Sequence, residues 1–115
     1  DWQDVKLHIL SHGLHYASCV FEGLRVYDGE IFKLEEHTDR WFNSAEILGM
    51  TIPFDKKTLN QAQCEAVAKN NLKSAYLRPM CFYGSEGMGL RADNLKVHVM
   101  LNQQDQAFQV GLLIE

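Results

Sequence analysis

The feature that most constrains the fold is a two-residue turn, Asp28-Gly29, between two stretches typical of β-strands. Residues 20–27 before the turn mix aliphatic and aromatic side chains with charged ones such as Glu22, and residues 30–32 follow it with a second short extended pattern. Asp-Gly between two such stretches is a strong signal for a tight β-hairpin. A strand that mixes aromatic and charged side chains this closely is either half solvated or part of a pocket wall.

The rest of the chain alternates between helical and extended patterns. In chain order, the sequence predicts a strand (5–10), a helical turn or connector (12–18), the hairpin (20–34), two helices (35–49 and about 58–71) and two further strands (74–83 and 95–101). Because neighbouring strands can pair antiparallel with both helices on one face of the sheet, we predict an α+β fold. Pro79 indicates an edge, a bulge or a bend, since proline cannot donate a ladder hydrogen bond.

Length and composition exclude several classes of protein. At 115 residues the chain is one domain or a piece of one. A net charge of −4 argues against a nucleic-acid surface, and no apolar run approaches the roughly 20 residues that a membrane span needs. The cysteines Cys19, Cys64 and Cys81 are widely spaced among apolar neighbours, so we expect reduced, buried thiols and a cytoplasmic location.

The end of the chain differs in character from the rest. Residues 102–109 are polar and rich in glutamine, whereas residues 110–114 are apolar apart from one glycine. Such a run either forms a last strand or packs against something outside the chain. We therefore divide the sequence into a domain over residues 1–101 and a tail over residues 102–115.

Arg40 is the first candidate for binding an anion. It lies beside Trp41 and Phe42, near the side of its predicted helix that should face the sheet. An arginine close to an apolar face is costly unless an anion meets it. The alternative is an ordinary surface arginine that pairs with Glu36 or Asp39 of the same helix.

Arg78 is the second candidate. In an alternating strand it shares one face with Tyr76, and a phenol beside a guanidinium makes a good binding pair for a carboxylate. The alternative is a half-exposed face of an edge strand. The two arginines suggest a small acidic ligand that bears phosphate or carboxylate, but they do not indicate the reaction.

Two other patterns carry less weight. His8, His12 and His15 have a spacing that suits a metal on a helix, but His8 lies in a segment that alternates as a strand. The glycine-rich stretch 84–89 leads into a strand, whereas a phosphate-binding loop needs a helix directly behind it. We therefore predict no metal site, and neither a nucleophile nor a supported pair of carboxylates is evident.

Four segments together resemble a known family. They are HGLHYASCVFEGLRVY (12–27), EEHTDRWFNSAEILGMTIPF (35–54), NNLKSAYLRPMCFYGSEGMGL (70–90) and KVHVM (96–100). In this order they resemble the N-terminal domain of branched-chain amino acid aminotransferases, which are fold-type IV enzymes that depend on pyridoxal 5'-phosphate. The resemblance extends over about residues 2–100.

The resemblance implies roles for several side chains. Arg40 matches the arginine that binds the cofactor phosphate. Arg78 would receive the side-chain carboxylate of glutamate, and Tyr76 would lie by the α-carboxylate. Phe21 and Gly23 match the wall of the pocket for the substrate side chain.

The resemblance also implies partners. Tyr16 matches a tyrosine that reaches the pocket of the neighbouring subunit, since these enzymes are homodimers or larger. The small-molecule partners would be branched-chain amino acids and 2-oxo acids. An apolar pocket with one mobile arginine would accept both leucine and glutamate.

The chain departs from the family pattern in two respects. The family's catalytic lysine lies well beyond this domain, and residues 102–115 do not align with the family, which a truncation, a fusion or a frameshift would explain. None of the lysines present matches the catalytic one, namely Lys6, Lys33, Lys56, Lys57, Lys69, Lys73 and Lys96. We therefore expect the 115 residues alone not to catalyse transamination.

Three alternatives remain open. A D-amino acid aminotransferase or an aminodeoxychorismate lyase would share the hairpin and the phosphate arginine, but the FEG and YLRP motifs favour the branched-chain enzyme. The third alternative is a non-catalytic dimerisation module that kept the fold and lost the chemistry.

Overall fold

The computed structural model describes residues 4–105 and 109–114 of the chain. Its elements, in chain order, are α1 (His12–Tyr16), β1 (Cys19–Phe21), β2 (Leu24–Tyr27), β3 (Glu30–Ile31), α2 (Leu34–Ile47), α3 (Lys56–Lys69), β4 (Ser74–Tyr83), β5 (Val97–Asp105) and β6 (Gln109–Ile114). The strand pairs are antiparallel, which confirms the α+β prediction. No helix in the described part of the chain has the length and apolar character needed to cross a membrane.

The sheet is built around the central strand β4. Its order is β3-β2-β4-β5-β6, and β1 pairs with β4 on the same side as β2. The predicted hairpin is confirmed as β2 and β3, with Val26 opposite Ile31. Asp28 and Gly29 have φ angles of 49° and 83°, the positive values that a tight hairpin turn of this kind requires.

The strand predicted over residues 20–27 is interrupted at residues 22–23. β1 and β2 keep the same register against β4, but the two residues between them leave the ladder. The Glu22 N–H donates to the Pro79 carbonyl at 2.9 Å, and Pro79 has no N–H with which to return the bond. Pro79 therefore lies in the central strand β4, opposite the interruption between β1 and β2. Of the edge, bulge or bend that Pro79 indicated, the edge strand is wrong.

The two long helices, α2 and α3, pack on one face of the sheet, as predicted. Trp41 of α2 and Leu59 of α3 form a buried cluster with Cys81 and Val99 of β4 and β5. A second cluster joins the hairpin, α3 and the start of β4, and its members are Leu24, Val26, Val67, Leu72, Ala75 and Leu77. Since side chains alternate along a strand, the even-numbered residues of β4 lie on the opposite face, called here the open face.

The prediction of a strand over residues 5–10 is wrong. The segment has no strand structure, and its apolar side chains are exposed, with Ile9 at 70%. Local bonds to His8 turn the chain toward α1: the Ser11 N–H and Oγ donate to the His8 carbonyl, and the Leu10 N–H donates to His8 Nδ1. Such local bonds compete with a ladder when no neighbouring strand is available.

The cysteines differ in environment, so the expectation that all three are buried is wrong. Cys64 is exposed on α3, Cys19 is half-buried, and Cys81 is buried. Burial raises the pKa of the Cys81 thiol to about 12. Cys81 is therefore an inert core thiol at neutral pH.

β5 extends beyond residue 101, and β6 lies entirely after it. β5 continues to Asp105 and pairs with β6, with Leu101 opposite Leu112. The division of the chain at residue 101 stays a prediction.

Candidate functional site

Four of the predicted site residues meet on the open face, where β1, β2 and β4 join. Arg78 Nη2 donates to Tyr76 Oη at 2.6 Å, and the Arg78 guanidinium carbon lies 4.2 Å from the centroid of the Phe21 ring. A Cβ added to Gly23 would lie 2.5 Å from Tyr76 Oη, so only glycine leaves room for this phenol. We call Phe21, Gly23, Tyr76 and Arg78 the Arg78 cluster.

The Arg78 cluster has the chemistry of a carboxylate site. Within residues 4–104 the Arg78 guanidinium has a phenol as its hydrogen-bond partner and no carboxylate. Because Tyr76 Oη accepts from Arg78, its own proton is available to donate to a ligand. The Phe21 ring is 53% exposed and supports one face of the guanidinium, so an apolar surface adjoins the charged one.

Arg40 forms a second cationic site, together with a partner that the sequence did not predict. Arg40 Nε donates to Glu22 Oε1 at 2.6 Å, and Arg40 Nη2 donates to Glu22 Oε2 at 2.7 Å. His37 Nδ1 lies 2.7 Å from Glu22 Oε2. The Glu22 side chain is only 4% exposed, whereas that of Arg40 is 67% exposed. We call these three residues the Glu22 triad.

The expected alternative pairing of Arg40 within its own helix is wrong. Glu36 instead accepts from Lys33 Nζ at 3.0 Å, and Asp39 accepts from Lys56 Nζ at 2.6 Å. Sequence reasoning missed Glu22 because it lies on a different element. The available signal was its position among apolar strand residues, since a buried carboxylate requires cationic or hydrogen-bonding partners.

The electrostatics of the Glu22 triad favour a charged pair. Burial acts to raise the pKa of Glu22, but hydrogen bonds from Arg40 and His37 outweigh it and hold that pKa below its usual range. The same carboxylate raises the pKa of Arg40. An ionised carboxylate only accepts hydrogen bonds, so Nδ1 of His37 carries the proton in this contact.

One edge of Arg40 stays available. Its Nε and Nη2 are bonded to Glu22, whereas Nη1 has no hydrogen bond within the described part of the chain. With a largely exposed guanidinium, this edge can receive a second anion, and phosphate oxygens are well suited to it.

The tripeptide of residues 21–23 contacts both arginines. Phe21 and Gly23 belong to the Arg78 cluster, while the Glu22 side chain between them bonds Arg40 of α2. The break in the strand allows this arrangement, because the residues around Glu22 leave the regular ladder.

Tyr16 lies apart from the Arg78 cluster. It ends α1, is 46% exposed, and its ring centroid lies 4.6 Å from that of His12. His12 lies within hydrogen-bond distance of Ser18 Oγ (2.6 Å) and of the Leu90 carbonyl (3.2 Å), and so links α1 to the glycine-rich loop. Tyr16 is thus presented outward.

A cavity of about 540 Å³ lies elsewhere on the open face. It is bounded by the segment 5–8, the start of α1 and side chains of β4 and β5 such as Met80, Phe82 and Met100. None of the predicted site residues lines it. It is largely apolar, and an ion pair in its wall joins His98 and Glu86 at 2.5 Å.

Across the described ranges, no three His, Cys, Asp or Glu side chains are placed to hold a metal ion. His8 accepts from a backbone N–H, His12 contacts Ser18 and Leu90, and His15 Nε2 lies 2.8 Å from the Ile9 carbonyl. The three histidines therefore face different partners.

Comparison with known sequences gives consistent matches. The family model of class IV amino-transferases matches residues 19–108. The branched-chain-amino-acid aminotransferase of Pseudomonas aeruginosa is 56% identical over 104 residues, which cover 87% of this chain and 34% of that protein. The chain spans about a third of the length of the curated relatives it matches.

Comparison with solved structures agrees. The branched-chain amino acid aminotransferase of Escherichia coli has a TM-score of 0.86 at 37% identity, over 92% of this chain and 37% of that one. A second branched-chain amino acid aminotransferase, from T.th. and complexed with N-(5'-phosphopyridoxyl)-L-glutamate, has a TM-score of 0.85 at 37% identity, over 91% and 36%. The chain therefore belongs to the class IV amino-transferase family.

Proposed function

We propose that this chain is the N-terminal part of a branched-chain amino acid aminotransferase. The complete enzyme would transfer the amino group of leucine, isoleucine or valine to 2-oxoglutarate with pyridoxal 5'-phosphate. The observation that carries the proposal is the Arg78 cluster, in which a guanidinium bonded to a phenol adjoins an exposed phenylalanine ring. The identity of 56% to a relative of that name supports it.

The Arg78 cluster suits two kinds of side chain. A glutamate carboxylate would bind the Arg78 guanidinium in a charge-assisted contact. A branched aliphatic side chain would pack on Phe21, with Arg78 stacked against the opposite side of the ring or turned to water. Tyr76 would donate its proton to the α-carboxylate that both kinds of substrate share.

The residues present fit the phosphate end of the proposed cofactor. The open Nη1 edge of Arg40 is a suitable partner for phosphate oxygens. When bound, pyridoxal phosphate supplies an electron sink for amino transfer. The likeness to the T.th. enzyme, which was solved with a phosphopyridoxyl ligand, supports the assignment.

We propose further that the enzyme is a cytoplasmic homo-oligomer. The support for an oligomer is the outward position of Tyr16 on α1, which lines a surface recess together with Met88, and the exposure of Met88 and Leu90. In this arrangement Tyr16 would contribute to the pocket of a neighbouring subunit.

The proposal is tested in the full-length protein, obtained by following the reading frame beyond residue 115. Half-reactions with leucine and glutamate are measured for the unchanged protein and for Arg78→Gln. We expect glutamate kcat/KM to fall by about 10–100-fold, as for loss of a charged hydrogen bond, and leucine kcat/KM to change much less.

Arg91→Gln is the matched control, because Arg91 is an exposed arginine that pairs with Asp93 in the loop before β5 and does not belong to the Arg78 cluster. It should leave both half-reactions unchanged. Equal losses for both substrates with Arg78→Gln would contradict the role of Arg78. Absence of leucine turnover by the unchanged protein would reject the branched-chain assignment and favour the alternatives of the same fold.

A further inference from the structure

The Glu22 carboxylate has no part in substrate binding as proposed, yet it is buried, which is rare for an acidic side chain. It is 4% exposed and takes part in three hydrogen bonds, two from Arg40 and one from His37. Its backbone is also fixed, because its N–H donates to the Pro79 carbonyl at 2.9 Å. A carboxylate so enclosed provides a rigid anchor for the guanidinium.

We propose that Glu22 is a positioning residue for Arg40, with His37 as the support for Glu22. Glu22 holds Arg40 by its Nε and Nη2 and thereby presents Nη1 to a phosphate group. The inference rests on the proposed function, since it assumes that Arg40 binds the cofactor phosphate. It adds a role for two side chains that contact neither substrate nor cofactor.

The physical reason is the freedom of the arginine side chain. The Arg40 side chain is 67% exposed, so without an anchor it would sample many rotamers. The bidentate contact removes that freedom before a ligand arrives, and a group that is already ordered loses less entropy on binding.

The negative charge of Glu22 opposes the binding of a phosphate near Arg40. Glu22 is an anion, and it reduces the positive potential that attracts a phosphate. Glu22 lies on the Nε–Nη2 side of Arg40, so a phosphate bound at Nη1 is closer to the guanidinium than to the carboxylate, and the attraction exceeds the repulsion. Orientation of the donor is a short-range effect that salt does not screen, so we expect positioning to outweigh repulsion.

His37 strengthens the anchor from the other side. Its ring is 22% exposed and lies 2.7 Å from the Oε2 atom that also accepts from Arg40. A donor at this position fixes the plane of the carboxylate. Loss of His37 should therefore weaken phosphate binding less than loss of Glu22.

The test compares two ligands in the full-length protein. Dissociation constants are measured by absorbance titration for pyridoxal 5'-phosphate and for pyridoxal, which lacks the phosphate. Their ratio isolates the contribution of the phosphate, since general damage to the fold would weaken both ligands alike. The variants are Arg40→Gln, Glu22→Gln, His37→Ala and His37→Asn, with Glu36→Gln as a control on the same helix.

We expect Arg40→Gln to abolish the preference for the phosphorylated ligand and Glu22→Gln to reduce it about tenfold, as for loss of a group that orients a ligand-binding side chain. His37→Ala should reduce it about threefold, and His37→Asn, which retains a donor, should restore most of it. Glu36→Gln should have no effect, because Glu36 pairs with Lys33.

Two results separate this inference from the proposed function. If Arg40→Gln abolishes the preference and Glu22→Gln leaves it unchanged or increases it, the positioning role is overturned and the phosphate role of Arg40 stands. If the unchanged protein shows no dependence on the phosphate, or Arg40→Gln leaves that dependence intact, the proposed cofactor site and this inference both fail. Should Glu22→Gln not fold, equal ratios for His37→Ala, His37→Asn and the unchanged protein would overturn the inference.

Discussion

Glu22 is the single residue with the most demanding environment among the site residues. Its carboxylate is removed from water, and such burial is unfavourable unless the charge is paired and hydrogen-bonded. Arg40 and His37 meet that requirement. The pairing makes the stability of the protein depend on the ionisation of Glu22.

The depressed pKa of Glu22 has a defined consequence for stability. In the unfolded chain a glutamate has a pKa of about 4.3, and the contacts with Arg40 and His37 hold the folded pKa of Glu22 below that value. A depressed folded pKa adds stability that is fully present above the unfolded pKa and is lost as the pH falls through the folded pKa.

We therefore expect the melting temperature of Glu22→Gln to lie furthest below that of the unchanged protein near neutral pH. The gap should narrow as the pH falls below about 4.3, and thermal unfolding followed by circular dichroism from pH 7 to pH 3 measures it. Gly49→Ala is the control, because its added Cβ has no neighbouring atom within 4 Å and so contacts no titrating group. A gap of constant size over the whole range would show that the ionisation of Glu22 does not stabilise the fold.

Gly23 is the second residue whose identity the site fixes. In Gly23→Ala the new Cβ would lie 2.5 Å from Tyr76 Oη, so the phenol must move, and this movement disturbs its bond with Arg78. We expect the KM for glutamate to rise several-fold while the fold is retained. Gly87→Ala is the matched control, because its Cβ would meet only the end of the Leu95 side chain at 3.3 Å. Equal effects of the two substitutions would argue against the close packing of Gly23 and Tyr76.

Among the elements, α2 shows how the sequence specifies where a helix ends. Gly49 has a φ of 71°, its N–H donates to the Glu46 carbonyl at 2.9 Å, and the Met50 N–H donates to the Ala45 carbonyl at 2.8 Å. This pattern closes the helix, and Met50 then packs in the core beside Ala45. The end of α2 therefore fixes its position on the sheet.

We expect Gly49→Ala to reduce the free energy of unfolding by about 1 kcal/mol, because the left-handed conformation is unfavourable for a residue with a Cβ. No atom lies within 4 Å of the added Cβ, so the effect is conformational and not a steric clash. Gly49→Asn should lose less, since asparagine tolerates this conformation better. Urea denaturation measures both, and a larger loss for asparagine than for alanine would contradict the explanation.

Elements that depend only on neighbouring residues are predicted correctly, whereas features that depend on a second strand are not. The sequence predicts the strand over residues 74–83 with the bounds that the structure has, and it places both long helices to within a few residues. Residues 5–10 alternate like a strand, but alternation does not supply a neighbouring strand to pair with. The interruption at residues 22–23 depends on Pro79 of a different strand, so the pattern of residues 20–27 could not reveal it.

At the scale of the whole molecule, the two faces of the sheet differ. Helices α2 and α3 cover one face. On the other face, α1, β1 and the glycine-rich loop leave several large apolar side chains exposed, namely Leu14, Tyr16, Phe21, Met88 and Leu90. An apolar area of this kind marks a contact surface. The isolated 115-residue chain should therefore self-associate.

Sedimentation velocity over a range of concentrations tests this expectation. Substituting both Met88 and Leu90 by serine should shift the chain toward the monomer, because these side chains are 82% and 76% exposed beside α1. Ile47→Ser is the matched control: Ile47 is 75% exposed but lies on α2, on the opposite face. A monomer at all concentrations, or an equal effect of the control, would contradict the assignment of the surface.

By itself the sequence determined the α+β class, the hairpin, the two long helices and the shared face of Tyr76 and Arg78, because each depends on a periodicity or turn within a few neighbouring residues. It also determined the family, through ordered motifs. Only the tertiary structure decided that Glu22 pairs with Arg40 and His37 and that Gly23 gives room to Tyr76. These contacts join residues on different elements, and the packing of α2 and β4 around the interrupted strand brings them together.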